Sequence, residues 1–565
     1  MVQEIWNVAG YHRPDAVELT RQGLNPLVAV LLASRGICAP GDIHGLFSED
    51  LSLLADPLLL TGMDRAVARI QSAIEKGEHV AVYGDYDVDG ITATCLLSRF
   101  LRSKGLTCEI YIPERLESGY GVKEDGLDKL ISAGVTLTIT VDCGVTAVEE
   151  VKYAKARGMD MIVTDHHECG AALPGAVAVI DPKRHDDWYP GKTLAGVGVA
   201  FKLVCAVEGA AQVPRLLAEY SELVAVGTVA DVMPVTGENR ILIKHGIKAI
   251  QERGRCGIVS LCRAAGLDEK QLTVSNIGFV LAPRLNAAGR LGKTQLAVDL
   301  LLSEDTAKAD ALAEALCALN RDRQQMESEL FTEALHMLEE EGADGAPIVL
   351  SSGKWHQGVA GIAASRLSER FGLPAIVICL QDGLGRGSCR SCGGFNIFSA
   401  LEHCGDLLET FGGHDMAAGL TIAQENIPAF RAKLSRYFKE HVDKQFAPTL
   451  DIDFEVINPA LLTAGNIDAL NVLEPYGAGN PTPLLCMTDV RAEAVTPLSG
   501  GKHTKLRISK LGAPFECIFF SQPTDELGVS PGDRLDIAFT PQINEYKGRR
   551  TVQLLLSAIR HTTTD

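Results

Sequence analysis

No stretch of the 565-residue sequence approaches the ~18 uninterrupted apolar residues of a membrane-crossing helix. The N-terminal MVQEIWNVAGYHRPDAVE has no basic segment leading into an apolar one. Both absences argue against membrane insertion and a secretory leader, and a cytoplasmic protein without membrane contact is expected. The 15 cysteines are odd in number and lack framework spacing, which suits a reducing compartment better than a disulfide-stapled fold. Cys389 and Cys392 have CxxC spacing, yet no second pair or nearby histidine pair completes a zinc site. Positive charge is also short: 53 Lys and Arg face 72 Asp and Glu, for a net −19. The whole chain therefore has no general attraction for nucleic acid, and any phosphate contact has to be local. Internal repeats and low-complexity tracts are missing too. What remains, 46% hydrophobic and 22% charged residues, is the profile of a globular chain of roughly three or four domains.

From residue 62 helical and β-rich runs alternate. MDRAVARIQSAIEKG has helical period and HVAVYGD reads as a strand; ITATCLLSRFLRSKG, TCEIYIP, KEDGLDKLISAG, TLTITVDCG, AVEEVKYAKARG, MDMIVTDHH and AVAVIDP continue the alternation. This spacing implies βαβ crossovers and a parallel sheet with helices on both faces, whose ligands bind beyond the carboxyl ends of the strands. Asp85, Asp87 and Asp89, then Arg115, Asp142, Asp165 with His166 and His167, and Asp181 all follow those ends. Residues 1–60 are expected to form an N-terminal helical cap and 61–303 the parallel-sheet domain. The stretch 304–341 lacks Gly and Pro and keeps helical spacing, so 304–343 reads as one long connecting helix. A second, smaller α/β domain is expected over 344–445. Over 446–565 period-two alternation with Gly, Pro and Asn turns predicts a small barrel or sandwich, with an OB-fold as the first choice.

Three like charges on alternate positions in GDYDVDG repel one another, and water or a cation has to offset that repulsion. Gly90 is expected to let the backbone bend sharply there. With Asp142, His166 and Asp231 added, five or six oxygens and an imidazole line one cleft without a thiol. That donor set suits two Mg²⁺ or Mn²⁺ ions, the imidazole favouring Mn²⁺. Two ions sharing a carboxylate is a hydrolytic arrangement for phosphate esters. Each stretch alone also reads as a solvated Asp-rich turn, and only their coincidence at successive strand ends points to metal.

Local positive charge appears where phosphate would need it. LAPRLNAAGRLGK holds Arg284, Arg290 and Lys293 with no acid, and GLGRGSCRSCGGFN sets Arg386 and Arg390 among glycines and serines whose N–H and hydroxyl groups can approach a phosphate. Surface ion pairs are the alternative for each arginine. FGGHDMAAG reads as two glycines and His414 before a helix start, either an anion site or a capped turn. In NEYKGRRTVQ, Lys547, Arg549 and Arg550 face one acid, Glu545, at a hairpin beside Tyr546; they could guide a single strand or merely be solvated.

GDYDVDGITA, VDCG, TDHH and the Asp231 of ADVMP, in that order, resemble the DHH phosphoesterase superfamily. RLNAAGR, GGHDMAAG and the C-terminal β region make the chain similar, from about residue 50 to its end, to that superfamily's single-strand-specific DNA exonucleases. The resemblance implies a metal-dependent 5′-to-3′ exonuclease acting on single-stranded DNA in recombination, mismatch and base-excision repair. Its domains would be a DHH catalytic domain, a DHHA1-like substrate-binding domain and an OB-fold nucleic-acid-binding domain. It implies two Mn²⁺ or Mg²⁺ ions held by Asp87, Asp89, Asp142, His166 and Asp231, with Asp142 bridging. Asp85 and His167 would lie on the metals or beside the scissile phosphate, and Asp165 would orient its neighbours. Arg115, Arg290, Ser388 and Arg390 would hold the 5′ phosphate and nearby backbone, and Tyr120 would lie against the strand or pack in its own loop. Arg284, Asn286 and His414 complete the DNA-contacting set. A single-strand-binding protein and a helicase are the implied partners of a monomer. Two other readings compete: a DHH phosphodiesterase for short oligonucleotides or cyclic dinucleotides, which has no need of the C-terminal domain, and a non-catalytic single-strand-binding scaffold, which has no need of intact carboxylates.

Overall fold

The structure, a computed structural model, describes residues 5–114, 121–341, 345–441 and 449–562. They form two compact units. The larger begins at Leu54 and carries two sheets.

The first sheet comprises β1 (His79–Tyr83), β2 (Thr107–Tyr111), β3 (Leu137–Val141), β4 (Asp160–Thr164) and β5 (Ala178–Ile180), all parallel, in the order β2-β1-β3-β4-β5. Its strands are short continuous apolar runs because helices cover both faces; every residue of β3 is buried. The chain leaves β1 for β2 on one side and returns to β3 on the other. This reversal opens a crevice at the carboxyl ends of β1 and β3, where such sheets bind ligands. Helix Val88–Ser103 follows β1 and packs on helices Gly196–Glu208 and Val213–Ala230. No single helix among the described residues is long and apolar enough to cross a membrane; the bent pair Gly196–Glu208 and Ala210–Ala230 passes on composition, and its residues form core of this unit.

Helix Thr306–Glu341 leads to the second sheet. Here β6 (Ile348–Ser352) and β7 (Ala375–Gln381) are parallel, and β8 (Leu384–Arg390), β9 (Thr410–His414) and β10 (Ala417–Ala423) complete the order β9-β10-β8-β7-β6 with antiparallel pairs. One sequence expectation changes at this point, and one glycine-rich segment gains a definite structure. FGGHDMAAG is the β9–β10 hairpin rather than a helix start, and GLGRGSCR is strand β8. The glycines of β8 stand two apart on one face because neighbours leave no room: a Cβ on Gly385 would lie 2.5 Å from Ile378 Cγ2, and one on Gly387 2.8 Å from Leu420.

The smaller unit joins both ends of the chain. Strands Leu485–Leu498, His503–Lys510, Ala513–Phe519, Arg549–His561 and Arg534–Tyr546 pair in that order, and the last pairs back onto the first to close a five-stranded barrel of the OB type. The N-terminal residues are not a separate cap. Ile5–Val8 pairs in parallel with Thr449–Ile452, and Leu27 and Leu31 share one core with Phe454, Leu485, Phe539 and Leu554. Arg35 grips Asp453, 418 positions later, through two N–H···O bonds of 2.8 and 3.1 Å.

Candidate metal centre and phosphate track

Strand β1 delivers its acids into the crevice. Asp85 is buried. Asp87 is the N-cap of helix Val88–Ser103 and accepts from Gly90 N–H at 3.0 Å. Gly90 is not the expected hinge; it is helical, and it is glycine because a Cβ would stand 2.5 Å from Asp85 O. One residue into the helix, Asp89 turns inward to the start of helix Gly196–Glu208. Its Oδ2 accepts from Gly196 N–H at 2.6 Å and its Oδ1 from Val197 N–H at 2.9 Å.

Asp142 directly follows strand β3, and its φ of 60° puts a non-glycine residue in left-handed backbone. Such a conformation has to be held by its surroundings and is common at functional sites. Asp165 directly follows strand β4, is wholly buried and organises the turn there. Asp165 accepts from the backbone of Val145, His166 and His167 at 2.9, 2.8 and 3.2 Å, and lies 2.8 Å from His167 Nδ1. Asp231 caps helix Val213–Ala230 at its C-terminal end. His166 Nε2 is the meeting point, 3.0 Å from Asp142 Oδ1, 3.6 Å from Asp231 Oδ2 and 3.7 Å from Asp89 Oδ2.

Burial and mutual repulsion shape the charges. Asp142 is pushed well above the usual carboxylate range by burial and then by Asp89, Asp87 and Asp85; Asp89 is pushed up by burial and then by Asp231 and Asp87. Asp231 rises to about 7 through burial and Asp87. His166 is depressed to about 3 by burial and by His167, so its imidazole is neutral at pH 7. Burial also opposes charge on His167, but the hydrogen bond and charge of Asp165 overcome it and raise that ring to about 9.

These residues fit divalent cations. Three sets of donor atoms cluster tightly: Asp85, Asp87 and Asp142; Asp89, His166 and Asp231; and Asp142, His166 and His167. None contains a thiol, so Cys389 and Cys392 join no metal-competent group among the described residues. Asp231 Oδ2 and both His166 ring nitrogens are buried without a hydrogen-bond partner, as metal donors would be. A cation among the carboxylates would remove the repulsion that raises them.

The proposed phosphate residues are placed unevenly. Helix Ala282–Arg290 lies against the β1 loop: Asn286 Oδ1 accepts from Val88 N–H at 3.3 Å, and a Cβ on Gly289 would stand 2.2 Å from Tyr86 O. Arg290 ends that helix and donates to Gly358 O at 3.3 Å. Ser388 and Arg390 lie on β8 beside Gly361 of helix Gln357–Phe371. Arg284 is engaged with Val280 O at 2.7 Å and Cys317 Sγ at 3.3 Å, within the helices. His414 sits on the exposed strand β9 and accepts from Met416 N–H at 3.4 Å. Arg115 and Tyr120 lie outside the described residues. In the barrel unit, Arg550 pairs with Asp468 at 2.6 Å, and Lys547 lies 5.3 Å from the Tyr546 ring centroid. Sequence reasoning missed Gly196 and Val197, the anchors of Asp89; the one trace of them is GVG at a helix start. It also missed Gly358 and Gly361.

Comparison with known proteins identifies the domains. Residues 79–228 match the DHH family N-terminal domain, 345–440 the DHHA1 domain and 452–558 the RecJ OB domain. The fold and site thus define a DHH-type protein with a DHHA1 domain and an OB barrel. The chain is 37% identical over 556 residues to the single-stranded-DNA-specific exonuclease RecJ of Bacillus subtilis, covering 98% of this chain and 70% of that one. To RecJ of Dickeya dadantii it is 37% identical over 573 residues, 96% and 97% of the two chains. The crystal structure of RecJ with Mn²⁺ from Thermus thermophilus superposes with a TM-score of 0.85 at 30% identity, covering 99% of this chain and 80% of that one. The same protein with Mg²⁺ gives 0.79 at 28% identity, covering 99% and 79%. The chain belongs to the RecJ family.

Proposed function

We propose that the chain hydrolyses single-stranded DNA as a two-metal exonuclease, removing nucleotides from the 5′ end. The observation that supports this most is Asp142, which stands in two donor groups at once and so is suited to bridge two ions. One ion would be held by Asp85, Asp87 and Asp142, and the other by Asp142 together with Asp89, His166 and Asp231, the His166 ring lying 3.0 Å from Asp142 Oδ1; Mn²⁺ or Mg²⁺ would be the cofactor. Bound there, such ions supply Lewis-acid polarisation of a phosphodiester and acidify water.

The side chains do the rest. Asp165 fixes the His166–His167 turn, so the neutral His166 ring stays among the carboxylates. With its Nδ1 engaged by Asp165, His167 offers Nε2–H toward the scissile phosphate or the leaving oxygen. Ser388, Arg390, Arg290 and Asn286, with Arg115 and Tyr120, would hold the terminal phosphate and the first nucleotides; the family resemblance adds His414 and Arg284 as further DNA contacts. If the P–O3′ bond breaks, the shortened strand carries a fresh 5′ phosphate and the same site can take it again. The OB barrel supports a polymeric substrate, since a phosphodiesterase for dinucleotides has no use for it. The family resemblance supports a role in recombination, mismatch and base-excision repair, in the cytoplasm, for a monomer working beside a helicase and a single-strand-binding protein.

A time course on single strands labelled at either end, with Mn²⁺ or Mg²⁺, tests this reading, with duplex and dinucleotide in parallel. Progressive loss from the 5′ end of single strands, absent in Asp142→Ala and without metal, is expected. Rapid cleavage of the dinucleotide with little on the long strand would overturn it.

A further inference from the structure

Between the β1 loop and the Ser388–Arg390 strand runs a series of close contacts made at three glycines. At Gly289 a Cβ would stand 2.2 Å from Tyr86 O, the carbonyl between Asp85 and Asp87. At Gly358, in the first turn of helix Gln357–Phe371, it would stand 2.2 Å from Arg290 O. One turn on, at Gly361, it would stand 3.1 Å from Arg390 Nη2 and 3.7 Å from Ser388 Oγ. None of the three has positive φ. Conformational freedom therefore does not explain them; closeness does. The acidic loop, the end of helix Ala282–Arg290 and the start of helix Gln357–Phe371 form one closely packed series, with the Arg390 guanidinium against its last member. The first two joints are backbone against backbone, which no rotamer change can relieve.

Resting on the terminal-phosphate reading of Ser388 and Arg390, we infer that this series is a spacer, with Gly358 as its positioning residue. It fixes the distance between the group that anchors the 5′ phosphate and the carboxylates that surround the scissile one, so anchoring the end brings the first internucleotide bond into register. A methyl at Gly358 forces the Arg290 and Arg390 sides apart. The end still binds, but the bond to be cut is displaced. A shift of about 1 Å from reactive geometry costs on the order of 10²-fold in rate.

The test is steady-state kinetics with Mn²⁺ on one single strand bearing either a 5′ phosphate or a 5′ hydroxyl. For Gly358→Ala, kcat on the phosphorylated strand is expected to fall about 10- to 100-fold with KM within about 3-fold. On the hydroxyl strand, which is not anchored, both constants should stay within about 3-fold. Equal loss on both strands, as a merely destabilised protein would give, overturns the inference, and so does no loss on either. Gly361→Ala, whose methyl meets the movable end of a side chain, decides the matter should Gly358→Ala not fold: it should erase the preference for the phosphorylated strand, and an unchanged preference overturns the spacer. Arg390→Ala tests the underlying reading separately. If the wild type has no preference, or Arg390→Ala retains it, the terminal-phosphate site itself is refuted. If Arg390→Ala loses it and the glycine variants do not, the spacer alone fails.

Discussion

Asp89 holds the backbone of Gly196 at the head of a helix: its Oδ2 accepts from Gly196 N–H at 2.6 Å while its Oδ1 takes Val197 N–H at 2.9 Å. Ala195, the N-cap of helix Gly196–Glu208, supplies no side-chain bond of its own, so an acid from another helix does the capping. The same carboxylate belongs to the donor group with His166 and Asp231.

These two duties separate by substitution. Asp89→Ala leaves two buried N–H groups without acceptors and should lower stability by about 1–3 kcal/mol. Asp89→Asn retains one acceptor and most of that stability. Both should lose Mn²⁺ affinity, so thermal melting read alongside calorimetric titration of Mn²⁺ distinguishes the variants.

Asp142→Asn should act in opposite directions on stability and activity. Without metal it relieves the repulsion from Asp89, Asp87 and Asp85, and its amide can donate to the neutral His166 ring now 3.0 Å away. The metal-free melting temperature is expected to rise and nuclease activity to fall more than about 10³-fold. In the wild type, Mn²⁺ at about 100 times its Kd should add about 2.7 kcal/mol of stability; the variant should lose most of that gain.

Asp181, at the end of β5, is buried and pushed up to about 7, chiefly by burial. Its folded-state value exceeds the unfolded one, so its contribution is full below the unfolded value near 4 and is lost as pH rises through about 7. Between pH 5 and 8, with EDTA present, the wild type should therefore lose more stability than Asp181→Asn, which keeps the oxygen that accepts from Lys183 N–H at 2.7 Å. Parallel curves would refute the assignment.

Leu31→Ala removes a fully buried side chain from the core shared by the N-terminal helices and the barrel. A loss of about 2–5 kcal/mol is expected. Because the chain forms two compact units, calorimetry should show the transition of the smaller unit moving down while Mn²⁺ binding by the larger is unchanged.

The metal centre is legible in the sequence because its signal is local. Every acid but Asp231, which caps a helix, follows a strand within a few residues, and a parallel sheet gathers strand ends on one edge. What cannot be read depends on contacts distant in sequence. Nothing near Asp142 announces its φ of 60°, and nothing near Asp89 announces that Gly196 N–H faces it. Glycine misleads at Gly90. There it reads as a bend, whereas Asp85 stands too close for any side chain, and the glycines of GLGRGSCR are held to the same rule by Ile378 and Leu420. The partnership of Ile5–Val8 with Thr449–Ile452 is equally hidden, since two short extended segments at opposite ends of a chain carry no mark of each other.

That partnership sets a timetable. At about 5–20 residues per second the ribosome needs roughly half a minute to two minutes to make a chain of this length. Helices Arg13–Arg21 and Pro26–Ser34 emerge first, yet the barrel strands that cover Leu27 and Leu31 emerge last. The larger unit can mature while translation continues, but the smaller one has to wait with an apolar surface in view of chaperones and proteases. Its yield in the cell should therefore depend on the speed of elongation, and a pause before the barrel codons would be costlier than the same pause after them.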